Sequence, residues 1–357
     1  MSSRNQKSTP KKSFRKKSSR ISTNTSHSYE QLEARQMLTV DLGLNLVSGT
    51  QDDNAFFANP SVHGAVGPNH IIQLTNGVYS LRGIDGTEIA TATTQEFFRD
   101  IAGADISAGT DIFGGTIQGE IQDARVVYDE SSGRWFASAV VAAGNGNALG
   151  GNDILLAVSR TNNPVDGFRS VQFTGDPING QFNSFATLAV DDTSVAITTD
   201  NSGDTVSVYA IPVADLLTDT PIADSSNITR FDNLDPEQYG QTIQFTSDSD
   251  GSSSPGGISY GIGTFDGGTQ ISVLRLITVG DPTVDLLDQF NVTVPEYVAA
   301  PDGRQPNAVD DLNNISPAIT GSAVEEGDFL WAVHTVEGSN GNSAIRWYQI
   351  NRNSLSY

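Results

Sequence analysis

The chain has 357 residues, with 42 acidic and 20 basic side chains and no cysteine. Its length is sufficient for a sizeable core, in one large β domain or two smaller ones. The lack of cysteine excludes disulfides, thiolate metal sites and a cysteine nucleophile. Residues 1–38 contain nine basic and two acidic residues, which leaves 11 arginines against 40 acidic residues and a formal charge of −29 for the remainder. A body this acidic repels phosphate groups, which excludes nucleic acid as a partner.

The N-terminal segment is a basic leader. Residues 1–29 contain no acidic residue and are rich in Ser, Thr, Lys and Arg, a composition that predicts disorder. Such a segment can be a nucleic-acid-binding tail, an inert solvated tail or a targeting segment. The apolar stretch that follows is interrupted by Asp41 and Asn45 and does not match an ordinary secretory signal. No apolar run reaches the ~18 residues that span a bilayer, so no transmembrane segment is predicted.

The leader ends in the sequence LEARQML, followed by Thr-Val-Asp. This stretch resembles the LEPR-XLL N-terminal motif of large extracytoplasmic proteins of planctomycete bacteria. The matching residues are Leu32, Glu33, Arg35 and Leu38, while Ala34 replaces the proline of the motif and Met37 replaces the first leucine of its final pair. The resemblance implies an exported or cell-surface protein and implies no activity.

From about residue 50 the sequence predicts short β-strands. The Asn76-Gly77 and Asp85-Gly86 pairs lie between alternating apolar residues, which is a strong hairpin signal. Residues 129–133 and the Asp191-Asp192 pair predict two further turns, the first with Gly133 at a positive φ. Helices are predicted only as short segments at 94–101 and 213–217.

These hairpins recur as five loose units, at about 55–110, 120–175, 182–232, 238–295 and 305–352. Repeated units of this size predict an all-β fold of the β-propeller type, with about five recognisable blades. Because the fifth unit has no following hairpin, the pattern also predicts an incomplete ring with exposed apolar flanks. The alternative is a pair of β-sandwiches, which also contain regularly spaced short strands.

Two phrases, AVGPNHIIQLTNGVYSL and DARVVYDESSGRWFASAV, are similar to the opening blades of poorly characterised bacterial propeller domains of exported proteins. The second phrase departs from the Asp-box of sialidases, because Gly133 follows Asp129 by four residues instead of two. We therefore interpret Trp135 as a packing residue between blades. The predicted domains are the leader at 1–38, a linker at 39–54 and the propeller-like domain at 55–357.

Candidate catalytic residues are the carboxylates at the starts of strands, because paired carboxylates are the machinery of glycoside hydrolysis. They are Glu120, Asp123, Asp191 and the Asp310-Asp311 pair, with Arg125 two residues after Asp123. The competing interpretation is that these residues cap turns or lie on an acidic surface. There is no Gly-x-Ser-x-Gly sequence of the nucleophile-elbow type.

No cofactor is evident, and calcium is the candidate ion. Asp248 and Asp250 begin a loop that resembles part of a calcium site, although it lacks the spacing of an EF-hand. His63 and His70 are close enough in sequence for a metal pair, but structural histidines are the favoured interpretation. The sequence therefore favours an extracytoplasmic binding or structural module, with a polysaccharide or a surface or matrix protein as partner. The alternative is a carbohydrate-active hydrolase or lyase on the same scaffold.

Overall fold

The structure is a computed structural model, and it describes residues 62–110 apart from 76, and residues 116–142, 152–248, 257–278, 285–303 and 317–357. The predicted leader, the linker and the motif at Leu32–Leu38 lie outside the described residues. In the part of the chain that the structure describes, no helix has the length and apolar character needed to cross a bilayer.

The first two blades are four-stranded antiparallel meanders in which each strand pairs with the next along the chain. Blade one consists of β1 (Val62–Val66), β2 (His70–Thr75), β3 (Val78–Gly83) and β4 (Glu88–Thr93). It is followed by helix α1 (Thr94–Glu96), a wider helical turn at Phe97–Ile101 and a small hairpin of β5 (Ser107–Thr110) and β6 (Thr116–Gln118). Blade two consists of β7 (Glu120–Asp129), β8 (Arg134–Ala142), β9 (Asp153–Ser159) and, after a 3₁₀ turn at Pro164–Asp166, β10 (Phe168–Thr174).

The third blade has an interrupted first strand. Its two halves, β11 (Asn183–Ser184) and β12 (Ala189–Val190), both pair with β13 (Ser194–Asn201). The blade continues with β14 (Thr205–Pro212), helix α2 (Val213–Leu216) and β15 (Thr229–Leu234). Helix α3 (Pro236–Tyr239) leads into the next blade.

The last two blades share a pairing at their first strands. Blade four consists of β16 (Gln241–Asp248), β17 (Ile258–Thr264), β18 (Gly267–Ile277) and β19 (Leu286–Val298). Blade five contains three described strands, β20 (Ala323–Glu326), β21 (Phe329–Glu337) and β22 (Ser343–Asn351). β16 and β20 pair in parallel, which joins the two blades into one seven-stranded sheet.

The sheets are arranged as a β-propeller. The first strands of successive blades contact one another, in the order β1, β7, β12, β16 and β20. At the axis, Nε2 of His63 in β1 lies 3.0 Å from the Oγ of Ser322, just before β20, so blades one and five meet there. The five predicted units coincide with these blades, and the β-sandwich alternative is wrong because the described strands form a succession of blades in contact through their first strands, not two sheets packed as a pair.

Buried apolar clusters fill the spaces between successive blades. Trp135 is fully buried with Tyr79 and Phe97 between blades one and two, as the packing interpretation predicted. Further clusters lie between blades two and three, three and four, and four and five. The outward face of blade five and the first strand of blade one instead expose apolar side chains, including Ile345 and Val66. Apolar side chains are therefore exposed on blades one and five, as the sequence predicted. The two blades are nevertheless in contact at His63 and Ser322.

The predicted turns and short helices are confirmed. β2–β3 and β3–β4 are hairpins, and Gly133 has a φ of 64° in the turn between β7 and β8. The helix predicted at 94–101 forms as α1 and the turn that follows it, with Thr93 and Glu96 in a reciprocal capping box. The helix predicted at 213–217 forms as α2.

Candidate active site

The first strands of three successive blades share a backbone irregularity near their beginnings. Asp123, Phe185 and Thr242 have φ values of 53°, 52° and 45°. The pairing register shifts at Asp123 and at Thr242, and Phe185 lies in the interruption between β11 and β12. Positive φ is uncommon for residues other than glycine and is a true outlier for a β-branched residue such as threonine. Such conformations cluster at functional sites, which makes this part of the fold the candidate site.

Two carboxylates from neighbouring blades lie at these bulges. Asp123 of blade two accepts a hydrogen bond on Oδ2 from the backbone N–H of Phe185, at 2.8 Å. Asp200 of blade three accepts from the N–H of Thr242 at 3.0 Å and from its hydroxyl at 2.6 Å. Asp200 is also the pairing partner of Ser184, the residue before Phe185. The bulges therefore bring together Asp123 of blade two and Asp200 of blade three, and Asp200 is bound to the first strand of blade four.

The two carboxylates interact electrostatically. Burial raises the pKa of Asp200, and the negative charge of Asp123 raises it further, while the two hydrogen bonds from Thr242 oppose the shift. A low-dielectric environment and a nearby like charge both favour the neutral acid. Asp200 therefore keeps its proton to a higher pH than an ordinary aspartate does.

Arg125 lies beside this pair. Its guanidinium group is largely buried, and Nε donates to the backbone oxygen of Ala186 at 3.3 Å. Burial lowers the pKa of Arg125, and the charge of Asp123 opposes that shift. The arginine thus brings a positive charge close to Asp123 within the ring of first strands.

His63 joins three blades next to Arg125. Its Nδ1 accepts from the backbone N–H of Val126 at 3.2 Å, and its Nε2 lies 3.0 Å from the Oγ of Ser322. Burial, together with the charge of Arg125, lowers the pKa of His63 to about 4. The ring is therefore neutral at pH 7, and because Nδ1 accepts, we assign the proton to Nε2. Both ring nitrogens have partners within the protein, as expected for a structural histidine.

An aromatic ring is exposed beside the carboxylates. The side chain of Phe185 is 45% exposed, and its backbone N–H donates the hydrogen bond that holds Asp123. An exposed aromatic face next to hydrogen-bonding groups can pack against an apolar surface of a ligand. The arrangement can therefore bind a ligand and exchange protons with it.

Of the predicted catalytic candidates, Asp310 and Asp311 lie outside the described residues, and the structure brings only one of the others into this cluster. Asp123 is part of it, and Glu120 lies exposed at the start of β7, three residues before it. Asp191 instead lies at the far end of the first strand of blade three. There it accepts from the N–H groups of Thr193 and Ser194 and from the hydroxyl of Ser259, which makes it a turn cap.

Asp200, Thr242 and Phe185 were missed by the sequence analysis. Asp200 is the second-last residue of a strand of buried residues, and in the sequence it looks like an ordinary turn residue. The interacting residues are 42 positions apart in the case of Asp200 and Thr242 and 62 in the case of Asp123 and Phe185. No spacing rule connects residues on different blades, and a β-bulge has no compositional signature in this chain.

The calcium prediction is not tested by the structure. Asp250 lies outside the described residues, and Asp248 is placed only as the last residue of β16. Within the ranges that the structure describes, no group of three or more His, Asp or Glu side chains is arranged to hold a metal ion.

Comparison with known proteins gives only distant structural likenesses. No protein-family model and no curated protein matches the chain. It is similar to an exo-β-1,3-galactanase from Phanerochaete chrysosporium, with 8% identity and a TM-score of 0.39 over 83% of this chain and 61% of that one. It is also similar to a GH43 β-1,3-galactosidase, with 13% identity and a TM-score of 0.38 over 83% and 59% of the two chains. A GH43 endo-arabinanase from Bacillus licheniformis has 11% identity and a TM-score of 0.35 over 81% and 93%.

The chain thus spans about three fifths of the length of the galactanase and of the galactosidase.

Proposed function

We propose that the protein is a glycoside hydrolase in which Asp123 and Asp200 are the two carboxylates of an acid–base pair. The observation that carries the proposal is the placement of two carboxylates on adjacent blades: Asp123 accepts from the N–H of Phe185, the neighbouring Ser184 pairs with Asp200, and burial is the main cause of the raised pKa of Asp200. Glycoside hydrolysis needs one carboxyl group that is protonated and one that is ionised, and environments that separate their pKa values assign the roles.

The proposed mechanism uses Asp200 as the acid. Asp200 donates its proton to the glycosidic oxygen as the bond to the sugar carbon breaks. Asp123 assists the attacking water or attacks the sugar carbon itself. The hydroxyl of Thr242 donates to Oδ2 of Asp200 at 2.6 Å, which stabilises the carboxylate that remains after the proton has been transferred. Phe185 offers an apolar surface to the sugar ring beside Asp123.

A hydrolysis screen with two substitutions tests this function. The wild-type protein should release reducing ends from at least one polysaccharide in a broad panel. Asp200→Asn and Asp123→Asn should each lower kcat/KM by about 10²–10⁴-fold, the usual contribution of a general acid or base. Asp219→Asn is the matched control, because Asp219 is an exposed acid paired with Arg169 on blade two.

The stability of Asp200→Asn separates a catalytic role from a structural one. Because burial raises the pKa of Asp200, the charged form opposes folding at neutral pH, and the neutral amide can still accept from the N–H of Thr242. We expect an unchanged or higher melting temperature together with the loss of activity. Full activity in this variant would refute the assignment.

The second candidate is a binding module that does not cleave its ligand. The hydrogen bonds from Thr242 to both oxygens of Asp200 favour it, because they are also what a purely structural carboxylate would make. In that case a polysaccharide or a surface protein would bind at Phe185 without release of reducing ends. Binding that is lost in Phe185→Ala, with no hydrolysis of any substrate in the panel, would select this function.

The extracytoplasmic location remains part of the proposal. The basic leader and the residues Leu32, Glu33, Arg35 and Leu38 support export, and an acidic body suits a protein in a salty exterior. Deletion of residues 1–38 should abolish export from a planctomycete host and leave the melting temperature unchanged. Unimpaired export of the shortened chain would contradict this role.

A further inference from the structure

A groove of about 480 Å³ lies on blade four, at the beginning of its first and third strands. Its volume is within the range of small-molecule binding sites. The residues that line it include Glu237, Gln241, Phe265, Asp266, Gln270 and Asn291. They come from helix α3, from the start of β16, from the turn between β17 and β18 and from strands β18 and β19, so several separate parts of the chain form one depression.

The groove and the contact that holds Asp200 lie at the same end of β16. Gln241 lines it, and the next residue, Thr242, holds the carboxylate of Asp200 through its N–H and its hydroxyl. Both features lie at the N-terminal end of β16. A linear sugar chain whose scissile glycosidic bond lies at Asp200 can therefore extend along this end of blade four into the groove.

The walls of the groove are fixed by hydrogen bonds beneath it. The hydroxyl of the buried Tyr297 accepts from the N–H of Phe265 at 3.1 Å and lies 3.1 Å from the backbone oxygen of Gln270. Nε2 of Gln241 donates to Asp266 at 2.9 Å. A groove held in this way loses little conformational freedom when a ligand binds.

The chemistry of the lining selects an uncharged polyhydroxylated ligand. Gln270 and Asn291 are exposed amides, each able to donate and to accept, which suits hydroxyl groups. Phe265 adds apolar surface. Glu237 and Asp266 are acids, and no basic side chain lines the groove within the described residues. Carboxylated or sulfated chains would therefore meet like charges with nothing to neutralise them.

We infer that this groove binds the flanking sugar residues of a linear oligosaccharide that carries no acidic groups. The inference rests on the proposed function only for the position of the scissile bond at Asp200. Binding of the oligosaccharide in the groove is a separate claim. It also names the substrate class, which the carboxylate pair does not specify.

Titration calorimetry on the Asp200→Asn protein tests the groove without hydrolysis. The probes are cellohexaose, xylohexaose and arabinohexaose, with hexagalacturonate as the anionic comparison. The double substitution Gln270→Ala/Asn291→Ala should weaken binding of the preferred neutral hexamer by about tenfold or more, since it removes two sets of hydrogen bonds. A disaccharide of the same sugar is the short comparison, and the double substitution should change its affinity less than that of the hexamer.

A matched pair of charge substitutions tests the selectivity. Glu237→Gln removes one acid from the groove, and Glu337→Gln removes an exposed acid at the end of β21 on blade five. Only Glu237→Gln should improve the binding of hexagalacturonate. Equal effects of the two substitutions would show that the whole acidic surface, and not the groove, rejects anions, and would overturn the inference.

The outcomes separate the two proposals. Groove-dependent binding of a neutral hexamer without hydrolysis by the wild-type protein supports the groove and refutes the hydrolase. Hydrolysis with a hexamer KM that is unchanged by Gln270→Ala/Asn291→Ala supports the hydrolase and refutes the groove. Failure of all neutral hexamers to bind, or tighter binding of hexagalacturonate than of any of them, also overturns the inference.

Discussion

Two tryptophans on β-strands have opposite environments in this propeller. Trp135 of β8 is fully buried between blades one and two, where its ring contacts Tyr128 and its Nε1 donates to the backbone oxygen of Asn162 at 3.1 Å. Trp347 of β22 is 60% exposed on the outward face of blade five and stacks on Trp331. Both lie in strands rich in apolar residues. The difference shows that burial of an apolar side chain depends on whether a neighbouring blade covers its face, so we expect the two residues to contribute unequally to stability.

The largest effect is expected from Trp135→Ala. Removal of a fully buried indole leaves a cavity between blades one and two and an unpaired carbonyl at Asn162. Substitutions of this kind cost about 3–5 kcal/mol. Urea unfolding should show a correspondingly lower midpoint. A loss below about 1 kcal/mol would mean that the two blades do not pack as described.

The next effect is a pH dependence at His63, which links blades one, two and five. The folded protein keeps His63 neutral because its pKa is lowered to about 4, whereas the unfolded chain protonates it below about 6.5. Its contribution to stability is therefore fully present above pH 6.5 and is lost as the pH falls towards 4. At 1.36 kcal/mol per pKa unit, the loss is about 3 kcal/mol.

His63→Gln tests this contribution, because glutamine keeps hydrogen-bonding capacity and cannot take up a proton. The free energy of unfolding should be measured for both proteins at pH 7 and pH 4.5. Wild type should lose more stability than the variant between these values. Parallel pH dependences would exclude His63 as the titrating group.

The smallest effect is expected on the exposed face of blade five. Trp347→Ala should change the free energy of unfolding by about 0.5 kcal/mol or less, because the side chain is mostly in water before and after folding. The same urea experiment that measures Trp135→Ala measures it. A loss comparable to that of Trp135→Ala would show that this face is covered in solution.

The blades could be predicted from the sequence because their signals are local. Asn76-Gly77 and Asp85-Gly86 fix hairpins between neighbouring strands, and each predicted unit corresponds to one blade. The exposure of apolar side chains on blades one and five was predicted from the same series of five units. The burial of individual residues could not be predicted in the same way. In β22, for example, the alternation of side chains does not show which of its two faces another blade covers.

The candidate site could be predicted only in part. Asp123 was a candidate because it precedes a buried strand, but so does Asp191, which proves to be a turn cap. Asp200 becomes distinctive only through its contact with Thr242, which depends on how blades three and four pack. The raised pKa of Asp200 is therefore a property of the assembled fold, because burial is its main cause and packing determines burial.

The most direct test of the proposed acid is the pH–rate profile of wild type and Thr242→Val. The hydroxyl of Thr242 donates to Asp200 and lowers its pKa, so its removal should raise that pKa further. The alkaline limb of kcat/KM reports the general acid of the free enzyme. A hydrogen bond to a charged group is worth about 1.5–3 kcal/mol, so the limb should move to higher pH by about one unit or more. An alkaline limb that stays in place in Thr242→Val would contradict the assignment of Asp200 as the acid.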